Sequence, residues 1–118
     1  MTKYCVRLEY TIKEVIEKFD ENKDRVAVVL NENNKVVGVV SQGDIIRALC
    51  EGKNIFSKVE TIVKPSFLYT KSRDMERAYK MFRSKKITMI PIIDDDYKLK
   101  GVITLDDIYT YLEEQRHE

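Results

Sequence analysis

The sequence predicts an α+β protein made of two copies of one small unit, with the sheets of the copies packed on one another. Three observations carry this. The first is an internal repeat. Displaced by 63 positions, Gly38-Val39-Val40-Ser41-Gln42-Gly43-Asp44-Ile45 falls on Gly101-Val102-Ile103-Thr104-Leu105-Asp106-Asp107-Ile108, and both read Gly-apolar-apolar-hydroxyl-x-x-Asp-Ile. The second is register. No gap is needed from residue 1 to residue 55: Phe19 meets Phe82, Lys35 meets Lys98, Leu49 meets Leu112, and the apolar pairs Ile12/Met75, Val15/Ala78, Val29/Ile92 and Val36/Leu99 stay in step. The third is that helical and strand periodicities alternate in the same order in both copies.

In the first copy, Tyr4-Cys5-Val6 reads as a short strand. Ile12, Val15, Ile16 and Phe19 lie at i, i+3, i+4 and i+7, one face of a helix, and Thr11-x-x-Glu14 is a capping box for its start. Arg25 to Leu30 and Lys35 to Val40 are apolar runs separated by Asn31-Glu32-Asn33-Asn34, the pattern of a strand hairpin. A helix follows from about Gly43 to Glu51, with Gly52 as its C-terminal stop. The second copy repeats the plan: a helix carrying Met75, Ala78, Tyr79 and Phe82, strands at Ile87 to Ile93 and Leu99 to Thr104 around Asp94-Asp95-Asp96-Tyr97, and a helix from Asp106 to Glu114. Between the copies, Ile55, Phe56, Val59, Ile62 and Val63 fit a short amphipathic helix stopped by Pro65, and Phe67-Leu68-Tyr69 reads as a strand. The expected division is 1–55 and 56–118. A unit of that size buries too little surface to stand alone, hence the expected packing of one sheet on the other.

Composition narrows the function. The chain has 118 residues, with 21 basic and 20 acidic side chains, a net charge of +1. That balance gives no pull toward nucleic acid or an anionic membrane. The longest apolar runs are four or five residues, against about 20 for a membrane span, and the N-terminus lacks a signal core; a cytoplasmic protein is expected. Cys5 and Cys50 read as buried or half-buried thiols. The one histidine is His117, next to the last residue, so a Ser-His-Asp, Cys-His or zinc site has little to work with, and no enzyme, metal or cofactor is expected.

The repeated motif has chemistry of its own. At a strand-to-helix turn, the glycine lets another group approach the backbone. The Ser or Thr hydroxyl sits beside free backbone N–H groups, where an anion is welcome. The aspartate, one turn in, can accept hydrogen bonds from a vicinal diol, as acidic residues do for nucleotide ribose. These parts suit a ribose-phosphate ligand. The same residues also read as helix N-caps with an acid at the third position, which stabilise a helix by about 1 kcal/mol without any ligand. The two roles are compatible.

Together with Ile90-Pro91-Ile92-Ile93-Asp94, the two motifs make nearly the whole chain resemble a tandem pair of CBS domains, the cystathionine-beta-synthase-type or Bateman module. The resemblance implies two β-α-β-β-α units related by a pseudo-two-fold axis. It implies a regulatory module that binds AMP, ADP, ATP or S-adenosylmethionine in clefts and modulates an attached or partner protein. Asp107 would hold the ribose hydroxyls, Thr104 the ribose or phosphate, and Ile90 and Pro91 would line the base pocket; Ser41 and Asp44 would serve the other cleft. Copy one has Val28 where copy two has Pro91, so the second cleft ranks first. Lys85, Lys86 and Arg25 are candidate phosphate partners, or complements of a helix dipole. Tyr4 and Tyr69 could stack on a base or pack at a sheet edge. Asp94-Asp95-Asp96 reads as a solvated turn rather than a cation site.

The stretch from Thr11 to Ile16, with Gly43 to Leu49 and Gly52, is similar to CBS pairs joined to sugar-phosphate nucleotidyltransferases and isomerases. That resemblance makes such an enzyme a candidate partner and keeps a cytidine or sugar nucleotide open as ligand. A homodimer is implied, with Ile45, Leu49, Ile108 and Leu112 either as its candidate surface or spent inside the monomer core. The alternative functions are a dimerisation or docking module whose clefts bind nothing, and the regulatory fragment of a sugar-phosphate nucleotidyltransferase binding another nucleotide.

Overall fold

A computed structural model describes residues 2–116. The chain divides into two compact units, Met1–Phe67 and Leu68–Glu118. His117 lies outside the described residues.

The first unit is a three-stranded sheet with helices against it. Its elements are β1 (Cys5–Arg7), α1 (Ile12–Asn22), β2 (Val26–Leu30), β3 (Val36–Ser41) and α2 (Gln42–Cys50), with strand order β1-β2-β3. β1 pairs parallel with β2, and β2 pairs antiparallel with β3. Thr11 caps α1 as its spacing predicts. The Thr11 backbone N–H donates to Glu14 Oε1 at 3.0 Å, and the Glu14 N–H donates to Thr11 Oγ1 at 3.2 Å. Ile12, Val15 and Phe19 of α1 meet Val6, Ala27, Val29, Val40 and Ile45 in one apolar cluster, closed by Val59. This burial supplies most of the unit's stability, each large aliphatic side chain contributing roughly 1.5–3 kcal/mol.

The second unit contains α3 (Met75–Ser84), β4 (Met89–Ile93), β5 (Leu99–Thr104) and α4 (Leu105–Arg116), with β4 and β5 antiparallel. Ala78, Ile90, Ile92, Ile103 and Ile108 form its cluster, flanked by Met75, Tyr79 and Phe82 of α3.

The duplication extends to backbone detail. Both hairpins carry a register shift at the same place, between Val29 and Leu30 and between Ile92 and Ile93. Both turn through a residue in the left-handed region, Asn34 at φ 61° and Tyr97 at φ 63°. Asparagine tolerates that conformation well and tyrosine poorly. Asn31 Oδ1 accepts from the N–H groups of Asn33 and Lys35 at 2.9 and 3.0 Å, and Asp94 Oδ1 accepts from those of Asp96 and Lys98 at 2.8 and 2.9 Å. The hydrogen bond from the Lys98 N–H is the main reason the Asp94 carboxyl titrates below its usual range. The Asp94–Asp96 run therefore builds a turn, and Asp95 pairs with Lys71 at 2.8 Å.

Three expectations need correction, and one open choice is decided. The stretch from Ile55 to Val63 is not an amphipathic helix; only Val59–Thr61 forms a 3-10 turn. Its backbone is engaged elsewhere: Ile55 and Ser57 carbonyls accept from Lys13 and Ile12, and the Val59 and Glu60 N–H groups donate to Tyr10 and Leu8. This ties the segment to the first unit and leaves Phe56 66% exposed. Phe67-Leu68-Tyr69 forms no strand either. Thr70 alone bridges to Ile92, donating to the Pro91 carbonyl at 3.0 Å and accepting from the Ile93 N–H at 2.9 Å. Cys50 is exposed, near the end of α2, whereas Cys5 is half-buried and its thiol is pushed up by that burial. Finally, Ile45 and Ile108 are buried in the clusters of their own units and Leu49 and Leu112 pack half-buried against them, so none of the four offers an open dimer surface. The exposed apolar residues of these helices are Ile46 and Tyr109, at 54% and 62%, again 63 positions apart.

The two glycines of the first motif face different surroundings. A Cβ at Gly38 would lie 2.5 Å from Val63 Cγ1 and 3.1 Å from the Lys64 carbonyl, whereas at Gly43 the nearest atom is Ser41 Oγ at 3.7 Å. Gly38→Ala is expected to cost about 1–3 kcal/mol through overpacking. Gly43→Ala, inside α2, is expected to stabilise by up to about 1 kcal/mol. Urea denaturation of both variants checks this; equal effects would show that the linker does not cover Gly38.

Candidate functional site: two strand-to-helix corners

Each motif passes from strand to helix with no intervening loop. Ser41 ends β3 in extended conformation (φ −112°, ψ 167°) and is the N-cap of α2; Thr104 ends β5 and α4 begins at Leu105. At both corners the hydroxyl and the carboxylate three residues on exchange hydrogen bonds with each other's backbone. The Ser41 N–H donates to Asp44 Oδ2 at 2.8 Å and the Asp44 N–H donates to Ser41 Oγ at 3.3 Å. The Thr104 N–H donates to Asp107 Oδ2 at 2.8 Å and the Asp107 N–H donates to Thr104 Oγ1 at 3.3 Å. The expected pairs Ser41/Asp44 and Thr104/Asp107 are thus brought together, and each is a capping box in its own right.

The corners differ at the remaining carboxylate oxygen. Asp44 Oδ1 is taken by Arg47, whose Nη2 donates to it at 2.8 Å from one turn along α2, and Asp44 Oδ2 also accepts from the Ser41 hydroxyl at 3.0 Å. Asp107 has no such partner on its own helix, where position 110 is a threonine. Among the described residues its Oδ1 accepts no hydrogen bond. Among the described residues its nearest cation is Arg73, with Nη1 3.8 Å from Oδ2. The Asp107 side chain is 41% exposed against 28% for Asp44. A carboxylate offers about four lone-pair sites. Asp44 uses three of them on the protein; Asp107 uses one and keeps a whole oxygen for another donor.

The strand residues are placed as follows. Pro91 stands opposite Val102 and Ile90 opposite Ile103. They point to opposite faces of β4. Ile90 is fully buried in the apolar cluster, so any contact it makes with a ligand falls to its backbone. Pro91 and, in the first unit, Val28 are buried too. Lys85 and Lys86 follow α3 and are exposed. Arg25 has left-handed backbone (φ 57°) and its carbonyl accepts from Gln42 N–H at 3.0 Å, beside the start of α2. The Tyr4 hydroxyl donates to Asp24 Oδ2 at 2.7 Å, and the Tyr69 ring packs edge-on against Tyr97 with centroids 5.9 Å apart.

Two residues at the corners escaped sequence reasoning. Arg47 lies at i+3 from Asp44, a spacing that places oppositely charged side chains together on any helix, and was legible on that ground. Arg73 carries no motif signal: it belongs to the loop before α3, and the equivalent position in the first copy is Tyr10.

Comparison with known proteins bears on the family and the fold. The family model described as CBS domain matches twice, at residues 1–51 and 59–114. The magnesium and cobalt efflux protein CorC of Buchnera aphidicola is 29% identical over 104 residues, covering 87% of this chain and 35% of that protein. An uncharacterized protein of Methanopyrus kandleri is 31% identical over 101 residues, covering 83% of this chain and 52% of its own. The chain thus spans about a third to a half of these relatives' length. Among solved structures, CBSX2 in complex with AMP superposes with a TM-score of 0.81 at 24% identity, covering 95% of this chain and 88% of that one. No described helix is long and apolar enough to cross a membrane. The duplicated motif, the two-unit α+β fold and the double family match together show that this chain is a CBS domain pair, a member of the CBS domain family.

Proposed function

We propose that this pair is a regulatory module that binds an adenosine nucleotide at the corner of its second unit and passes its occupancy to an attached or partner protein. The carrying observation is the unengaged Oδ1 of Asp107 beside the capped Thr104. A carboxylate held rigidly by a backbone N–H through one oxygen, and open at the other, is pre-organised to accept ribose hydroxyls, at little further entropic cost. The AMP bound to the structurally similar CBSX2 supports the choice of ligand class. In this reading Thr104 and Asp107 hold the sugar, with Ile90 and Pro91 beside the base. In this reading the module performs no chemistry of its own and works in the cytoplasm. A sugar-phosphate nucleotidyltransferase remains the candidate partner, and a cytidine nucleotide the corresponding ligand. The first unit favours a structural part: Arg47 occupies Asp44, and Val63 lies across Gly38. Ser41 and Asp44 therefore form the weaker of two sites.

Titration calorimetry with AMP tests this. Asp107→Asn removes a charge-assisted acceptor worth about 1.5–3 kcal/mol, so affinity is expected to fall about ten- to a hundredfold, and the variant becomes nearly indifferent to removal of the 2′ and 3′ hydroxyls. Asp44→Asn is expected to change affinity by less than about threefold. Equal losses in both variants would place the sugar elsewhere. Binding of cytidine nucleotides with none of AMP, ADP, ATP or S-adenosylmethionine would move the ligand to the sugar-nucleotide class.

The exposed Ile46 and Tyr109, one on each post-motif helix, support a homodimer through these helices. In the first unit, Ile46 also borders a groove of about 230 Å³ between α1 and α2, whose lining includes Ile16, Asp20, Arg25 and Gln42. Light scattering is expected to give twice the 13.9 kDa chain mass, and Ile46→Lys with Tyr109→Lys to give the single chain. A dimer that survives both substitutions would put the interface elsewhere.

A further inference from the structure

Arg73 is a cation at the second corner that its helix cap does not explain. Its Nη2 donates to the Val102 carbonyl at 3.0 Å, and its Nη1 stands 3.8 Å from Asp107 Oδ2, beyond hydrogen-bond length. Nη2 also lies 3.3 Å from where a Cβ of residue 101 would be, so the motif glycine leaves the guanidinium close against β5, and a Cβ there would push it back by a few tenths of an ångström. In the first copy the corresponding glycine is covered by Val63 instead, and the carboxylate is matched by Arg47 of its own helix. The duplicated motif has thus diverged from a closed corner to one where a cation is held at the mouth.

The tether to Val102 uses one of five guanidinium donors, and the side chain is 51% exposed. Its pairing with Asp107 is long and solvent-screened, hence weak. Arginine stays protonated at any working pH and presents its remaining donors as a planar fork that fits phosphate oxygens. A nucleotide whose ribose engages Asp107 also brings its phosphate close to that carboxylate. Two anions then need a cation between them, and Arg73 is already fixed there by an uncharged carbonyl. A sulfonium ligand would instead meet the guanidinium as a like charge.

We infer that Arg73 makes the second-unit site selective for phosphorylated adenosine ligands over uncharged adenosine and cationic S-adenosylmethionine. This rests on the nucleotide reading of that corner. The test is calorimetry on the full chain with AMP, adenosine and S-adenosylmethionine, for wild type, Arg73→Gln and Arg73→Lys. Wild type is expected to bind AMP at least about tenfold more tightly than either other ligand. Arg73→Gln should reduce the AMP-to-adenosine ratio to about one or two while adenosine affinity stays within about twofold. Arg73→Lys, which keeps the charge and loses the fork, should fall between and also serves if Arg73→Gln does not fold. An unchanged ratio in a folded variant that still binds AMP overturns the role of Arg73 and leaves the nucleotide reading standing. A parallel loss of AMP and adenosine affinity shows that Arg73 only supports the corner, and overturns the selectivity. If wild type binds none of the three, the role of Arg73 and the adenosine reading fail together.

Discussion

A carboxylate at the third position of a helix has two oxygens, and the N-cap backbone N–H needs only one of them. The fate of the other decides what each strand-to-helix corner can do. The reciprocal cap answers a general need: the first-turn N–H groups of a helix have no intrahelical partner, and a side chain at the corner can supply one. Ser41 with Asp44, and Thr104 with Asp107, meet that need identically to within 0.1 Å. Arg47 then closes the first corner. The second corner stays open, with Arg73 beside it on a carbonyl tether.

The same divergence runs through the segments that join the copies. Residues 55–60 hydrogen-bond back to residues 8–13, which draws the linker onto the first unit and sets Val63 against Gly38. No segment does this for Gly101, so its open space receives a side chain from the loop before α3. In the second unit, a parallel strand is reduced to the single bridge of Thr70 with Ile92. One duplicated sequence has therefore produced two corners that differ in how their carboxylates are engaged.

Most of the architecture could be read from the chain because the determining interactions are local. The box at Thr11 and Glu14, the hairpins closed by Asn31 and Asp94, and the two motif caps each involve residues within four positions of one another, and the repeat shows every such feature twice. What escaped was set by long-range backbone pairing. The apolar spacing from Ile55 to Val63 fits a helix, but the carbonyls of Ile55 and Ser57 were already partners for α1. The spacing of the apolar residues after the motif left dimer surface and core both open: Ile45 and Ile108 fill their own cores, and the next residue in each helix faces outward. At the site, Ser41, Asp44, Thr104 and Asp107 were legible as a repeated motif. Arg73 was not, because its contact with Asp107 spans 34 positions and has no counterpart in the first copy.

The asymmetry of the two corners can be observed directly. Backbone amide resonances followed by 15N-edited NMR during an AMP titration report each corner separately, since the amides of Ser41, Asp44, Thr104 and Asp107 all belong to the capping boxes. An open second corner predicts that Thr104, Asp107 and the Arg73 loop shift first and saturate together, with Ser41 and Asp44 unmoved at the same ligand concentration. Shifts that begin at Ser41 and Asp44, with Thr104 and Asp107 silent, would show that the saturated carboxylate is the one that binds and would contradict the assignment.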